Sequence, residues 1–180
     1  MEHIDILDNK GDKTGEIATY DEVHKTGLIH RAVHVWILNF KNEILLQKRE
    51  KKRRAYPNYY DISISGHVSA GQTSLEAAQC EAEEELGLKI SESQFLYLFT
   101  LEEHLVLNNR TYINNEFQDV YLVRKDIDLS QISFNDGEVE EVKFLSLDQF
   151  EKWTNGEGEL LVPHKEEYRR LLEYIKNSMF

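Results

Sequence analysis

The hydrophobic period of this chain changes at Thr73. Upstream, apolar residues alternate in short β-rich runs; from Ser74 to Leu86 they recur at helical spacing. Thr73 and Glu76 stand at capping-box spacing and Gly87 is placed to end a helix, so residues 74–86 are predicted helical. At about 100° per residue this helix divides into three sectors. Leu75, Ala78, Ala82 and Leu86 share an apolar arc that should face a sheet, and Glu76, Gln79 and Glu83 should face water. Glu81, Glu84 and Glu85 fill a third arc bordering the apolar one. Like charges this close repel by roughly a few tenths of a kcal/mol per pair on an exposed helix, and by more when partly buried. A bare EAEEE run reads as a solvated acidic face. A hard divalent cation would compensate it instead: oxygen-only ligation suits Mg²⁺ or Mn²⁺, whereas Zn²⁺ would want His or Cys. The glycine-bounded loop GHVSAG, residues 66–71, favours the cation, because its free backbone groups can face a ligand.

Around this helix the pattern is one of strands. Residues 2–20 suggest a small hairpin or arm about Asn9–Asp12. HRAVHVWILNF, a turn at Lys41–Asn42 and EILLQKR read as an antiparallel pair, and YYDISIS as a further strand. QFLYLFTLEEHLVL and TYINNEFQDVYLVR follow as two strands about Asn108–Asn109. A strand at EVKFLSL precedes a helix from Asp148, and a last helix is expected from Pro163, with Tyr168, Leu171, Leu172 and Ile175 as its apolar stripe. Strands with segregated helices make a mixed sheet packed by helices, an α/β (α+β) arrangement. With no linker or repeat, residues 1–180 are expected to form a single domain: an arm over 1–28, the loop and helix at 66–88, and a terminal helix over 163–178.

Charge narrows the partners. Twenty-one Lys and Arg against 33 Asp and Glu give −12, so a nucleic-acid polymer would be repelled. No run is apolar enough to span a membrane and no signal pattern opens the chain, so a cytoplasmic protein is expected. The single cysteine, Cys80, permits no internal disulfide and reads as an inert residue beside the apolar arc. The stretch KREKKRR, residues 48–54, is a basic island in an acidic chain. Arg49, Lys48 and Arg53 are its candidates for substrate phosphates, with a solvated loop as the alternative for Lys51 to Arg54. Tyr56, Tyr59 and Tyr60 read as packing more than stacking platforms, Trp36 as core, and His24, His30 and His34 as structural, since their spacing makes no cluster with the carboxylates.

Residues 66–88, GHVSAGQTSLEAAQCEAEEELGL, resemble the Nudix box of the Nudix hydrolases, a glycine, a glutamate and then Arg-Glu-apolar-any-Glu-Glu-any-Gly-apolar. Gly66, Glu81, Ala82, Glu84, Glu85, Gly87 and Leu88 keep the pattern, while Gln72 replaces its first glutamate and Cys80 its arginine. The resemblance implies an α/β/α sandwich with a mixed β-sheet. It also implies Mg²⁺ (or Mn²⁺) held by Glu81, Glu84 and Glu85 with the Gly66 carbonyl, and hydrolysis of a small organic or nucleoside diphosphate by metal-activated water. In the family the arginine orients a glutamate of the site, so Cys80 removes a restraint.

Residues 28–67 resemble more narrowly the branch that includes isopentenyl-diphosphate isomerase. His67 falls on a metal-ligand histidine of that enzyme, and Glu116 matches a glutamate that binds metal and takes part in its catalysis. The isomerase needs a protonating cysteine just before this histidine, where this chain has Ile64 and Ser65. Three readings result: a pyrophosphohydrolase with Glu81, Glu84 and Glu116 as catalytic residues, an isomerase-like enzyme, and a weakened Nudix domain that senses a nucleotide. Glu103 and Glu138 are further candidates for a glutamate base outside the box. The arm and the last helix are the two segments that could pack across a homodimer.

Overall fold

The computed structural model describes residues 2–134 and 137–178, so the extreme ends of the expected 1–180 unit lie outside the described residues. A hairpin of β1 (His3–Leu7) and β2 (Lys13–Thr19) leads through α1 (Tyr20–Thr26) into β3 (Ile29–Leu38) and β4 (Glu43–Arg49). Then come β5 (Tyr60–Asp61), β6 (Ile64–His67), α2 (Ser74–Leu86), β7 (Phe95–Leu107), β8 (Tyr112–Arg124), β9 (Val139–Ser146), α3 (Leu147–Thr154) and α4 (Lys165–Ser178). Seven strands form a mixed sheet in the order β5-β4-β3-β8-β7, with β6 also on β3 and β9 also on β4. β3 and β8 run parallel; the other pairs are antiparallel.

The two central strands are buried on both faces, which is why they read as continuous apolar runs. Val33, Val35 and Ile37 of β3 join Tyr121 and Val123 of β8 against Ala78, Ala82 and Leu86 of α2. Trp36 and Leu38 join Val120 and Leu122 on the opposite face, against Phe150 of α3 and Tyr168, Leu171 and Leu172 of α4. The result is the expected α/β/α sandwich.

β3 and β4 pair only beside their turn, at Leu38↔Ile44, and then part. Ser63 fills the opening: its hydroxyl accepts from Ile37 N at 2.9 Å and donates to Leu45 O at 2.6 Å. The same insertion divides YYDISIS, giving its first half to β4 and its second to β3. Nor does the last helix open at Pro163. Val162 N donates to Tyr60 O at 2.9 Å, which keeps residue 162 extended beside β5, and α4 begins at Lys165.

α2 spans the predicted residues. Thr73 Oγ1 accepts from Glu76 N at 3.2 Å, the Glu76 carboxylate accepts from Thr73 N at 2.8 Å, and Gly87 ends the helix at φ 67°. α1 is a seven-residue helix that the alternation in residues 2–28 does not announce. Thr19 caps it, Gly27 ends it at φ 74°, and it carries Tyr20 and His24 toward the sheet.

Candidate active site

A cavity of about 650 Å³ opens where the C-terminal end of β6, the N-terminal half of α2, β8 and the arm meet. Gly66 is pressed against α2: a Cβ there would lie 2.0 Å from Glu81 Cδ. Glu81, Glu84, Glu116, Gly66, His67, Arg49 and Arg53 all line this cavity. Glu85 does not. It is buried, its carboxylate accepting from Ser65 N at 3.1 Å and from the Gln47 amide at 3.4 Å, so it grips the strand that leads into the loop. Lys48 is a correction. Strand alternation sends Leu45, Gln47 and Arg49 to the α2 side and Lys48 to the other, where its Nζ lies 3.5 Å from Glu140, away from the cavity. Cys80 is a second correction: it is exposed, lines the cavity and takes a 3.7 Å contact from the Gln72 amide.

The histidines are a third. His24 from α1, His30 from β3, His67 from β6 and Glu116 from β8 bring four potential ligand atoms within 4.8 Å of one another. Periodicity could not reveal this group, because its members sit on four elements. His24 Nδ1 lies 2.9 Å from Tyr20 O and His30 Nδ1 lies 3.0 Å from Leu28 O. A carbonyl only accepts, so both Nδ1 atoms carry the proton and both Nε2 atoms present lone pairs. Burial pushes the His24 imidazole down to about 4, which keeps it neutral, and its ring stacks on Tyr112 at 4.7 Å. The Nε2 atoms of His24, His30 and His67 are buried without a hydrogen-bond partner. His30 Nε2 nevertheless stands 3.2 Å and His67 Nε2 3.4 Å from Glu116 Oε1. Burial alone would raise the Glu116 carboxyl, but positive charge on the imidazole side of this contact, a proton or a cation, outweighs it and holds the group well below the usual carboxylate range.

Lone pairs facing a carboxylate oxygen across about 3 Å repel unless a cation or a proton lies between them. Three imidazole nitrogens and one carboxylate, with the outer nitrogens of His24 and His30 tied to carbonyls, fit a borderline transition-metal ion better than Mg²⁺. Glu81 and Glu84 beside Gly66 offer oxygen alone, which fits a hard divalent cation.

Asp61 and His164 were not visible in the sequence. Arg49 Nη1 donates to Asp61 Oδ2 at 2.6 Å, and His164 Nε2 sits 3.1 Å from Asp61 Oδ1. Glu103 faces the cavity as well, and Gln118 Nε2 bridges it to Glu116 at 3.1 and 3.0 Å. An adjoining cavity of about 600 Å³ is lined by Lys52, Arg53 and Arg54, so the basic island does border the site, although Arg53 is paired with Glu138. Tyr60 packs on Trp153 at 5.2 Å.

The sequence model of the NUDIX domain matches residues 28–164, a span that holds the box loop, α2 and Glu116. The chain belongs to the Nudix family. The Nudix chain is 40% identical over 180 residues to Nudix hydrolase 3 of Arabidopsis thaliana, covering 97% of itself and 23% of that protein. A Nudix hydrolase of Listeria monocytogenes is 32% identical over 151 residues, with 84% of this Nudix chain and 83% of the relative covered. An isopentenyl-diphosphate Delta-isomerase of Pectobacterium atrosepticum is 31% identical over 144 residues, covering 80% of this chain and 76% of that enzyme. Among solved structures a Deinococcus radiodurans protein superposes with a TM-score of 0.70 at 22% identity, covering 94% of this chain and 98% of that one, which supports the Nudix fold. Among the described residues no helix is long and apolar enough to cross a membrane.

Proposed function

We propose that this Nudix chain hydrolyses a small organic or nucleoside diphosphate, X–O–P–O–P, with Mg²⁺ (or Mn²⁺) as the cofactor. The observation that carries this reading is the contact of the Glu81 carboxylate on Gly66, in one cavity with Glu84, Glu116 and Arg49. Glu81, Glu84 and the Gly66 carbonyl, with Glu85 behind them, would hold a divalent cation, which would supply positive charge at the diphosphate and acidify a water. Glu116, 3.2 Å from His30 Nε2 and 3.4 Å from His67 Nε2, is placed to accept the proton of that water. Arg49 offers its Nη2 donor to a phosphate oxygen from the facing strand.

A screen of diphosphates with Mg²⁺, run on the native chain beside Glu84→Gln, tests the reading. The native chain should release a phosphate product, and Glu84→Gln should lower kcat/KM by about 100-fold or more. A native chain that binds a nucleotide tightly and releases nothing would leave a sensor in place of an enzyme. A second reading, an isomerase-like enzyme, is supported by the His24, His30, His67 and Glu116 group and by the isomerase relative. Against it stand Ile64 and Ser65 where the protonating cysteine belongs. Conversion of isopentenyl to dimethylallyl diphosphate in the same screen would establish it.

A further inference from the structure

We propose that Asp61 and His164 are positioning residues that hold Arg49 ready for a substrate phosphate, so that β5 and the segment before α4 belong to the anion-binding wall of the site. The inference rests on the diphosphate reading above and assigns that reading its cationic support.

Three elements meet at one buried carboxylate. Asp61 is 3% exposed; Oδ2 accepts from Arg49 Nη1 at 2.6 Å, while Oδ1 accepts from Ile62 N at 2.9 Å and from His164 Nε2 at 3.1 Å. Arg49 is fixed a second time by its Nε, which donates to Ala55 O at 3.0 Å. Its Nη2 has no protein partner among the described residues, and the side chain lines the cavity. His164 reaches Asp61 because residues 160–162 are zipped to β5: Tyr60 N donates to Leu160 O at 2.8 Å and Val162 N to Tyr60 O at 2.9 Å. The other His164 nitrogen lies 3.8 Å from Glu103, and its ring packs against His34 at 5.2 Å.

The charges explain why this arrangement is more than a buried ion pair. Asp61 stays ionised because Arg49 and His164 outweigh its burial, and its carboxylate raises His164 to about 9 against the imidazole's own burial. Two cations thus share one anion, with Glu103 beside the second of them. A buried Arg–Asp pair alone contributes little to stability once desolvation is counted. A carboxylate that clamps one edge of a guanidinium, and is itself clamped by a second cation, leaves the free edge oriented for a phosphate without loss of side-chain entropy on binding.

The experiment measures binding of inorganic diphosphate in the presence of Mg²⁺, and of Mg²⁺ alone, by calorimetry on the full chain. Asp61→Asn should weaken diphosphate binding about tenfold or more while leaving Mg²⁺ affinity unchanged. His164→Leu should act in the same direction, and His164→Gln, which retains a donor, should recover most of the loss. Diphosphate affinity at the native level in both Asp61→Asn and His164→Leu would overturn the proposal. So would a parallel loss of Mg²⁺ and diphosphate binding in both, since that is what general damage to the site would produce. A native chain with no Mg²⁺-dependent affinity for diphosphate would overturn the diphosphate reading along with it, a result distinguishable because it needs no variant.

Discussion

One methyl group at position 66 would displace Glu81. The Cβ of an alanine there falls 2.0 Å from Glu81 Cδ and 2.0 Å from Oε1, far inside van der Waals contact, so either the carboxylate or the loop must move. A displacement of about 1 Å in a catalytic group costs roughly 100-fold in rate. Gly66→Ala is therefore expected to lose about that factor in Mg²⁺-dependent diphosphate hydrolysis while its circular dichroism spectrum stays native; an unchanged kcat would show that Glu81 does not act from this contact. At this scale the sequence was legible where chemistry and spacing coincide on one element, as for Glu81 and Glu84 on α2. It was silent for Asp61 and His164, which lie 103 positions apart and meet only because a short bridge zips residues 160–162 to β5. Lys48 and Arg49 look equivalent in the sequence, yet adjacent positions on a strand face opposite sides of the sheet, and only Arg49 reaches the cavity.

Elements were legible in proportion to their local signals. α2 carries a change of period, a capping box and a terminal glycine, and its bounds follow from them. α1 has seven residues and too little apolar periodicity to stand out, although it delivers His24 to the site. The division of residues 60–67 between β4 and β3 depends on a side-chain hydroxyl reaching two neighbouring strands, which no propensity records. The capping box has a measurable consequence. Thr73→Ala removes the acceptor for Glu76 N and should lower global stability by about 1 kcal/mol. Urea unfolding reads this as a lower midpoint at constant m-value, and an unchanged midpoint would mean that the loop, not the cap, starts the helix.

For the molecule as a whole, two buried acid–base pairs tie the sheet to the C-terminal segment: His34 with Glu167, and His164 with Asp61. Glu167 also accepts from Trp36 Nε1 at 2.7 Å, so α4 is fastened to the core of β3 by polar as well as apolar contacts. His164 is raised to about 9 from an ordinary 6.5, and a raised histidine stabilises fully below its unfolded value and ceases to as pH passes its folded one. Asp61 is depressed below its ordinary 3.8, so its contribution is present above that value and is lost only in stronger acid. Thermal stability should therefore be highest below about pH 6.5 and fall as pH rises from there through 9. His164→Gln should flatten that fall, and an equally steep decline in the variant would place its origin in another group.

The parallel pairing of β3 with β8 also governs how the chain finds this fold. Ile29 registers with Asn115, 86 positions later, so the two middle strands of the sheet cannot meet until most of the intervening chain has been brought into a closed loop. The β7–β8 hairpin, whose ends are already adjacent, can form first and wait. The rate-limiting search is then for β3, and refolding belongs in the range of roughly milliseconds to seconds rather than the microseconds open to chains held together by neighbouring residues.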